Sequence, residues 1–290
     1  MPLRARPVLI VTLTALPLIA AAAVVSYVSV SVSDASPAEP VPAAMSLPFD
    51  AYELSQFDVH TIEAAQDVLI GACMREQGLT WQSLPAPTAA GTRSPHARRY
   101  GIMDAGDAGR YGYHLPSPSP TQARRDAVWA AREKLPATEK LALDGAKGHG
   151  GGCRGRARAQ VTGKAPQDWL EPLNRYASQT FEAAQRAPEV VAVIREWSAC
   201  MKEAGYPYPG PFEAVGDGTW WKTQQPSDRE RAVARADMRC KQETDLIPIW
   251  AEADRRVQLG VLRQHAGEFR RMAEAKKALL DLARDTLRQA

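Results

Sequence analysis

An apolar run from Pro7 to Val32, PVLIVTLTALPLIAAAAVVSYVSVSV, carries no charge and follows Arg4 and Arg6. About 20 apolar residues suffice for a helix to span a bilayer. The apolar core of a cleaved signal peptide is shorter, about 7–15 residues. Residues 1–32 therefore read as a signal-anchor. Cleavage at the small residues Ser33-Asp34-Ala35 is the alternative. Positive charge before the run stays on the cytoplasmic side. The rest of the chain is thus expected outside: a single-pass cell-membrane protein with an extracytoplasmic body, or a secreted protein after cleavage. No cysteine directly follows the run, which removes a lipid-modified cysteine anchor.

Export changes how the cysteines are read. There are four, Cys73, Cys153, Cys200 and Cys240. An even number in an exported chain indicates disulfides, and four cysteines allow three pairings. None lies in a C-x-x-C, and zinc sites want paired ligands two to five residues apart. No metal or other cofactor is expected.

Residues 33–48 are rich in Pro, Ala and Ser and read as a semi-rigid spacer. Beyond it, hydrophobic residues recur at spacings of three and four, and no run alternates as a strand would. The expected fold class is all-α. Helices are predicted at 58–77, 120–134, 137–143, 173–186 and 188–204. Another follows Ser227, and a single long one runs over about 249–289. Ser119-Pro120 reads as N-cap plus first-position proline, and Ser227-x-x-Glu230 as a capping box. Gly78 and Gly205 read as C-terminal stops. Residues 80–118, with many Gly and Pro, read as loop.

The sharpest signal in the body is a duplication. Residues 72–78 read ACMREQG and residues 199–205 read ACMKEAG, with five of seven positions identical. Each copy ends a helix at its glycine, and each is followed by an aromatic, Pro-containing loop, a helical segment and one more cysteine. This layout predicts two similar halves, 49–165 and 166–290, each closed by its own disulfide. The pairing is then Cys73–Cys153 and Cys200–Cys240.

The Cys-Met helix ended by glycine, Ala142-Leu143-Asp144-Gly145, Gly151-Gly152-Cys153 and the later Ala236-Asp237-Met238-Arg239-Cys240 carry a resemblance. Over roughly residues 58–285 the chain resembles a group of uncharacterised exported proteins of high-GC Gram-positive bacteria. The resemblance implies location rather than chemistry, since the group carries no established activity. The Arg-rich stretch after Cys153 departs from it.

Candidate chemistry is sparse. The five histidines, His60, His96, His114, His149 and His265, are never three to five residues apart and read as surface or loop residues. GHGGGC at 148–153 lacks the Gly-Lys-Ser/Thr of a phosphate loop; its glycines read as close chain approach beside a disulfide. The carboxylate pairs Asp104/Asp107 and Asp237/Glu243 read as solvated surface. A formal net charge of +3, from 36 basic and 33 acidic residues, gives no reason to expect nucleic acid as a partner.

Two surfaces remain. Tyr206, Tyr208, Phe212, Trp220 and Trp221 form an aromatic loop, read as a contact face or as a satellite core. Arg154, Arg156, Arg158 and Lys164 form a basic stretch suited to anionic headgroups or wall polymers. The sequence thus points to an envelope interaction or accessory module. Its partners would be the membrane, through the N-terminal helix, and an envelope protein or wall polymer. An envelope enzyme such as a wall-modifying hydrolase is the alternative.

Overall fold

The computed structural model describes residues 45–89, 94–146, 151–163 and 169–290. The expected signal-anchor, most of the expected spacer, Lys164, His149 and most of the 148–152 glycine cluster lie outside the described residues. Among the described residues there are helices and no strand, and no helix is long and apolar enough to cross a membrane.

Eleven α-helices form this part of the chain: α1 (Gln56–Glu76), α2 (Ala105–Tyr111), α3 (Pro120–Glu133), α4 (Ala137–Asp144), α5 (Cys153–Thr162), α6 (Glu171–Gln185), α7 (Pro188–Glu203), α8 (Pro211–Val215), α9 (Asp228–Glu243), α10 (Leu246–Gln264) and α11 (Ala266–Gln289). Several ends follow from local chemistry. The Ser119 side chain accepts from the Gln122 N–H, with Pro120 at the first helical position, where its missing N–H costs nothing. Gly78 and Gly205 take the left-handed conformation after α1 and α7.

Two disulfides are formed, Cys73–Cys153 and Cys200–Cys240, as the duplicated layout predicts. The first ties α1 to α5, beside a core of Ile70, Met74, Leu143 and Ala157. The second ties α7 to α9 in the largest core, where Trp197, Met201, Val233 and Trp250 meet. Packing does not divide the chain where the disulfides do. α1 and α5 both lie against the C-terminal α11, through Ala65, Val161, Leu279 and Ala283. α2 lies against α9, and α10 lies on α6 and α7. Each disulfide-bridged segment is completed by an element from the other end of the sequence.

Three expectations need correction. The long helix breaks at His265, which leaves helical geometry (φ −116°, ψ 29°) and lies with its Nδ1 3.0 Å from the Tyr176 hydroxyl, which itself donates to Glu268. Pro248 sits inside the first turn of α10, where no intrahelical N–H is required, rather than before the helix. The stretch read as loop contains α2, started by the Asp104 carboxylate accepting from the Asp107 N–H and stopped by Gly112 at φ 56°. The basic stretch after Cys153 is itself helical, as α5. Entry to α5 needs Gly152, because a Cβ there would lie 2.4 Å from the Leu143 carbonyl. That close approach beside a disulfide is what the glycines were read as providing.

α3 docks largely through charge. Val128 is buried, but Trp129 stays partly exposed against the Arg132 guanidinium. Arg125 and Arg132 point inward to Glu63 and Asp67 on α1. Asp67 also accepts from Trp81 Nε1 (3.0 Å) and from the Leu84 N–H (2.8 Å). One buried carboxylate thereby holds α1, the following loop and α3 together.

Candidate functional site

Residues 94–114 lie over α9 and α10 and are held by four carboxylates. Asp50 meets His96 Nε2 at 2.6 Å. Asp254, fully buried on α10, accepts from Arg99 Nε (2.6 Å) and the Tyr100 hydroxyl (3.0 Å). Asp237, on the buried face of α9, accepts from Trp197 Nε1 (3.0 Å), the Tyr113 hydroxyl (3.2 Å) and Lys241. Lys241 also donates to the Ile102 carbonyl (2.7 Å). Burial alone works against both charges, raising the Asp237 pKa and lowering that of Lys241. Every group around the Asp237 carboxylate donates to it, however, which favours the ionised pair.

The fourth carboxylate corrects the expected capping box. Ser227 does cap α9, accepting from the Glu230 N–H (3.1 Å). The Glu230 side chain does not reach back. It turns inward and accepts from the Tyr113 N–H (2.8 Å), the His114 N–H (3.2 Å) and His114 Nδ1 (2.8 Å). Glycine is required at Gly112 because a Cβ there would meet the Glu230 carboxylate at 2.6 Å.

His114 has an acceptor at each ring nitrogen: Glu230 at Nδ1, and the Thr223 carbonyl 3.0 Å from Nε2. Only the doubly protonated ring can donate to both. The hydrogen bond to Glu230, opposed by burial, raises the His114 pKa. A raised histidine contributes stability that is fully present below its unfolded pKa and is lost as pH rises through the folded value. Raising the pH above the ordinary histidine value of about 6.5 should therefore lower stability in urea unfolding, by no more than the roughly 1 kcal/mol of one net hydrogen bond. His114→Gln should abolish that extra slope; an unchanged slope would show that the imidazolium is not held.

The aromatic loop divides. Trp220 is buried in the main core, donating from Nε1 to the Ala214 carbonyl (2.7 Å), so of the two readings of this loop, contact face or core, Trp220 follows the second. Tyr206, Tyr208 and Phe212 are half-buried against the same core. The Tyr208 hydroxyl donates to Asp217 (2.7 Å), and burial with that bond pushes its pKa up to about 12. Trp221 alone stands out, 52% exposed, with its ring against His114. Leu115, next in the chain after His114, is 69% exposed. The structure therefore offers one exposed ring, Trp221, on the imidazole that locks the loop after α8 to the end of the 94–114 segment, with exposed Leu115 next to that histidine in the chain.

The other candidates are placed as follows. Arg154 pairs with Asp144 (3.1 Å) and Arg158 is exposed on α5, while Arg156 donates to Cys73 Sγ. Asp104 caps α2 through the Asp107 N–H, both residues being half-buried, and Asp237 is buried whereas Glu243 is exposed, so the second pair does not present two solvated acids to one cleft. His96 and His114 are bridging residues rather than surface ones. Cys200, Cys240 and Glu243 bring three ligand-type atoms within 4.8 Å, but the two sulfurs are bonded to each other.

The residues that hold this site were mostly missed. Asp237 and Lys241 stand one helical turn apart on the stripe that also carries Val233 and Cys240. An i,i+4 charge pair within an apolar stripe was the available signal. Compared with protein-family models, curated proteins and solved structures, the chain finds no match to any of them.

Proposed function

We propose that the chain is an exported, membrane-tethered helical module that binds another protein of the cell envelope. The observation that carries the reading is Trp221: an exposed ring on a rigidly held histidine, with the neighbouring aromatics folded against the core and exposed Leu115 following that histidine in the chain. Rigid aromatic and aliphatic groups offer contact area at small entropic cost. Trp221 and Leu115 are apolar, which suits a protein surface better than an anionic wall polymer. Two disulfides fit an oxidising compartment, and the uncharged run at 7–32 supplies a tether. The resemblance to exported proteins of high-GC Gram-positive bacteria agrees with that location.

A photo-crosslinking residue at position 221 in cells tests this. A discrete protein adduct is expected from position 221 and not from exposed Arg186. Leu115→Ser should reduce the adduct at least about fivefold, a loss of roughly 1 kcal/mol, without changing the thermal midpoint. Equal adducts at both positions would overturn the reading, as would hydrolysis of purified wall polymer by the chain.

A further inference from the structure

The two disulfides sit in opposite electrostatic surroundings. Around Cys73–Cys153 the neighbours are donors. Arg156 Nη2 donates to Cys73 Sγ and lies 3.6 Å from Cys153 Sγ, and Gln77 Nε2 lies 3.1 Å from Cys153 Sγ. Cys153 is the first residue of α5, whose N-terminus has no side-chain cap, so the partial positive charge of that helix end faces it. Cys73 is in the last turn of α1, and Arg156 offsets the negative end of that helix. Around Cys200–Cys240 the group nearest the sulfurs, the Glu243 carboxylate, is negative, although Arg239 lies 3.9 Å from its far oxygen. Both cysteines lie in the last turns of their helices, α7 and α9. The Glu243 carboxylate approaches Cys200 Sγ at 3.3 Å. Positive surroundings stabilise a thiolate and negative ones oppose it.

We propose that Cys73–Cys153 is a thiol–disulfide exchange site that reacts with a dithiol, and that Cys200–Cys240 is a permanent cross-link. The inference does not rest on the binding reading above. Cys73, at the edge of accessibility, is the sulfur attacked, since Cys153 is fully buried. One thiolate of the dithiol bonds to Cys73 Sγ, the Cys73–Cys153 bond breaks, and Cys153 leaves as a thiolate at the N-terminus of α5. The second thiol of the dithiol, deprotonated, closes on its own mixed-disulfide sulfur and releases Cys73 as a thiolate beside Arg156. Two electrons pass from the dithiol to the protein, and the two protons go to solvent or to the new thiolates. α1 and α5 stay docked on α11 throughout, so the bond opens without dismantling the body.

The oxidised full chain should be equilibrated at pH 7 in mixtures of reduced and oxidised dithiothreitol. Free thiols are then trapped with N-ethylmaleimide and assigned by peptide mass. Cys73 and Cys153 should be labelled at a reduced-to-oxidised ratio about tenfold below that needed for Cys200 and Cys240, with the helical circular-dichroism signal kept. Gln77→Ala with Arg156→Ala, both at exposed positions, should raise the ratio for this pair about threefold or more, whereas Arg156→Lys should restore most of the difference. In the opened protein, Cys153 should alkylate with a midpoint below the ordinary thiol value of about 8.5. Earlier opening of Cys200–Cys240, simultaneous opening with loss of helix, or an unmoved ratio in the double variant would each overturn the proposal.

Discussion

Lys241→Met is expected to destabilise the body by about 3–5 kcal/mol, among the largest effects any single exposed-charge count would fail to foresee. Lys241 is fully buried and pairs with Asp237 at 3.1 Å while donating to the Ile102 carbonyl. Removing it leaves the Asp237 carboxylate in the core with Trp197 and Tyr113 as its remaining donors. It also leaves a backbone carbonyl of the 94–114 segment without its partner. An uncompensated buried charge costs more than the intact pair contributes, because desolvation is then unopposed. Asp237→Asn combined with Lys241→Met should recover part of the loss, since no charge is left behind. Urea unfolding under oxidising conditions measures both. A loss below about 1 kcal/mol for Lys241→Met would mean that the pair is hydrated and the site is not dry.

Trp250→Ala is expected to cost about 3–5 kcal/mol. The indole is fully buried between Tyr100 (centroids 5.0 Å apart), Phe181 (5.8 Å) and Phe212 (5.7 Å). It is where the 94–114 segment, α6, the aromatic loop and α10 meet. The shape of the indole matters here and its N–H does not: Nε1 of Trp250 has no hydrogen-bond partner among the described residues. Trp197 is the opposite case, since its Nε1 donates to Asp237. Trp250→Phe should therefore cost little beyond lost volume, while Trp197→Phe should cost an additional 1–3 kcal/mol, roughly the price of one withdrawn donor to a buried charge. Equal costs for the two Phe substitutions would contradict the hydrogen-bond assignment.

The parts of this fold that were legible are those fixed within a few residues. Ser119-Pro120, Gly78 and Gly205 declare their helix ends because capping is decided by adjacent backbone groups. The disulfide pairing was legible because the duplicated heptads gave it a second, independent signal. Decisions made by distant partners were hidden. The Ser227-x-x-Glu230 pattern looks like a capping box, but Tyr113 and His114 compete for the glutamate across the fold and win it. His265 breaks the last long helix where Tyr176, far off in sequence, takes its ring. Trp220 and Trp221 are adjacent and chemically alike, yet one is core and the other is surface, because the 3-10 turn that carries them points them in different directions. Arg125 and Arg132 are buried only because the carboxylates of α1, distant in sequence, receive them. Each of these residues is polar or amphipathic, and for such residues burial depends on whether a partner is waiting.

The claim on which the functional reading depends is that this body is displayed outside the cytoplasm. Protease added to intact spheroplasts tests it most directly, with antibodies against residues 45–290 and against a cytoplasmic enzyme followed over time. The account predicts that the body is degraded without detergent while the cytoplasmic enzyme survives. Full protection of the body until the cells are lysed would contradict it.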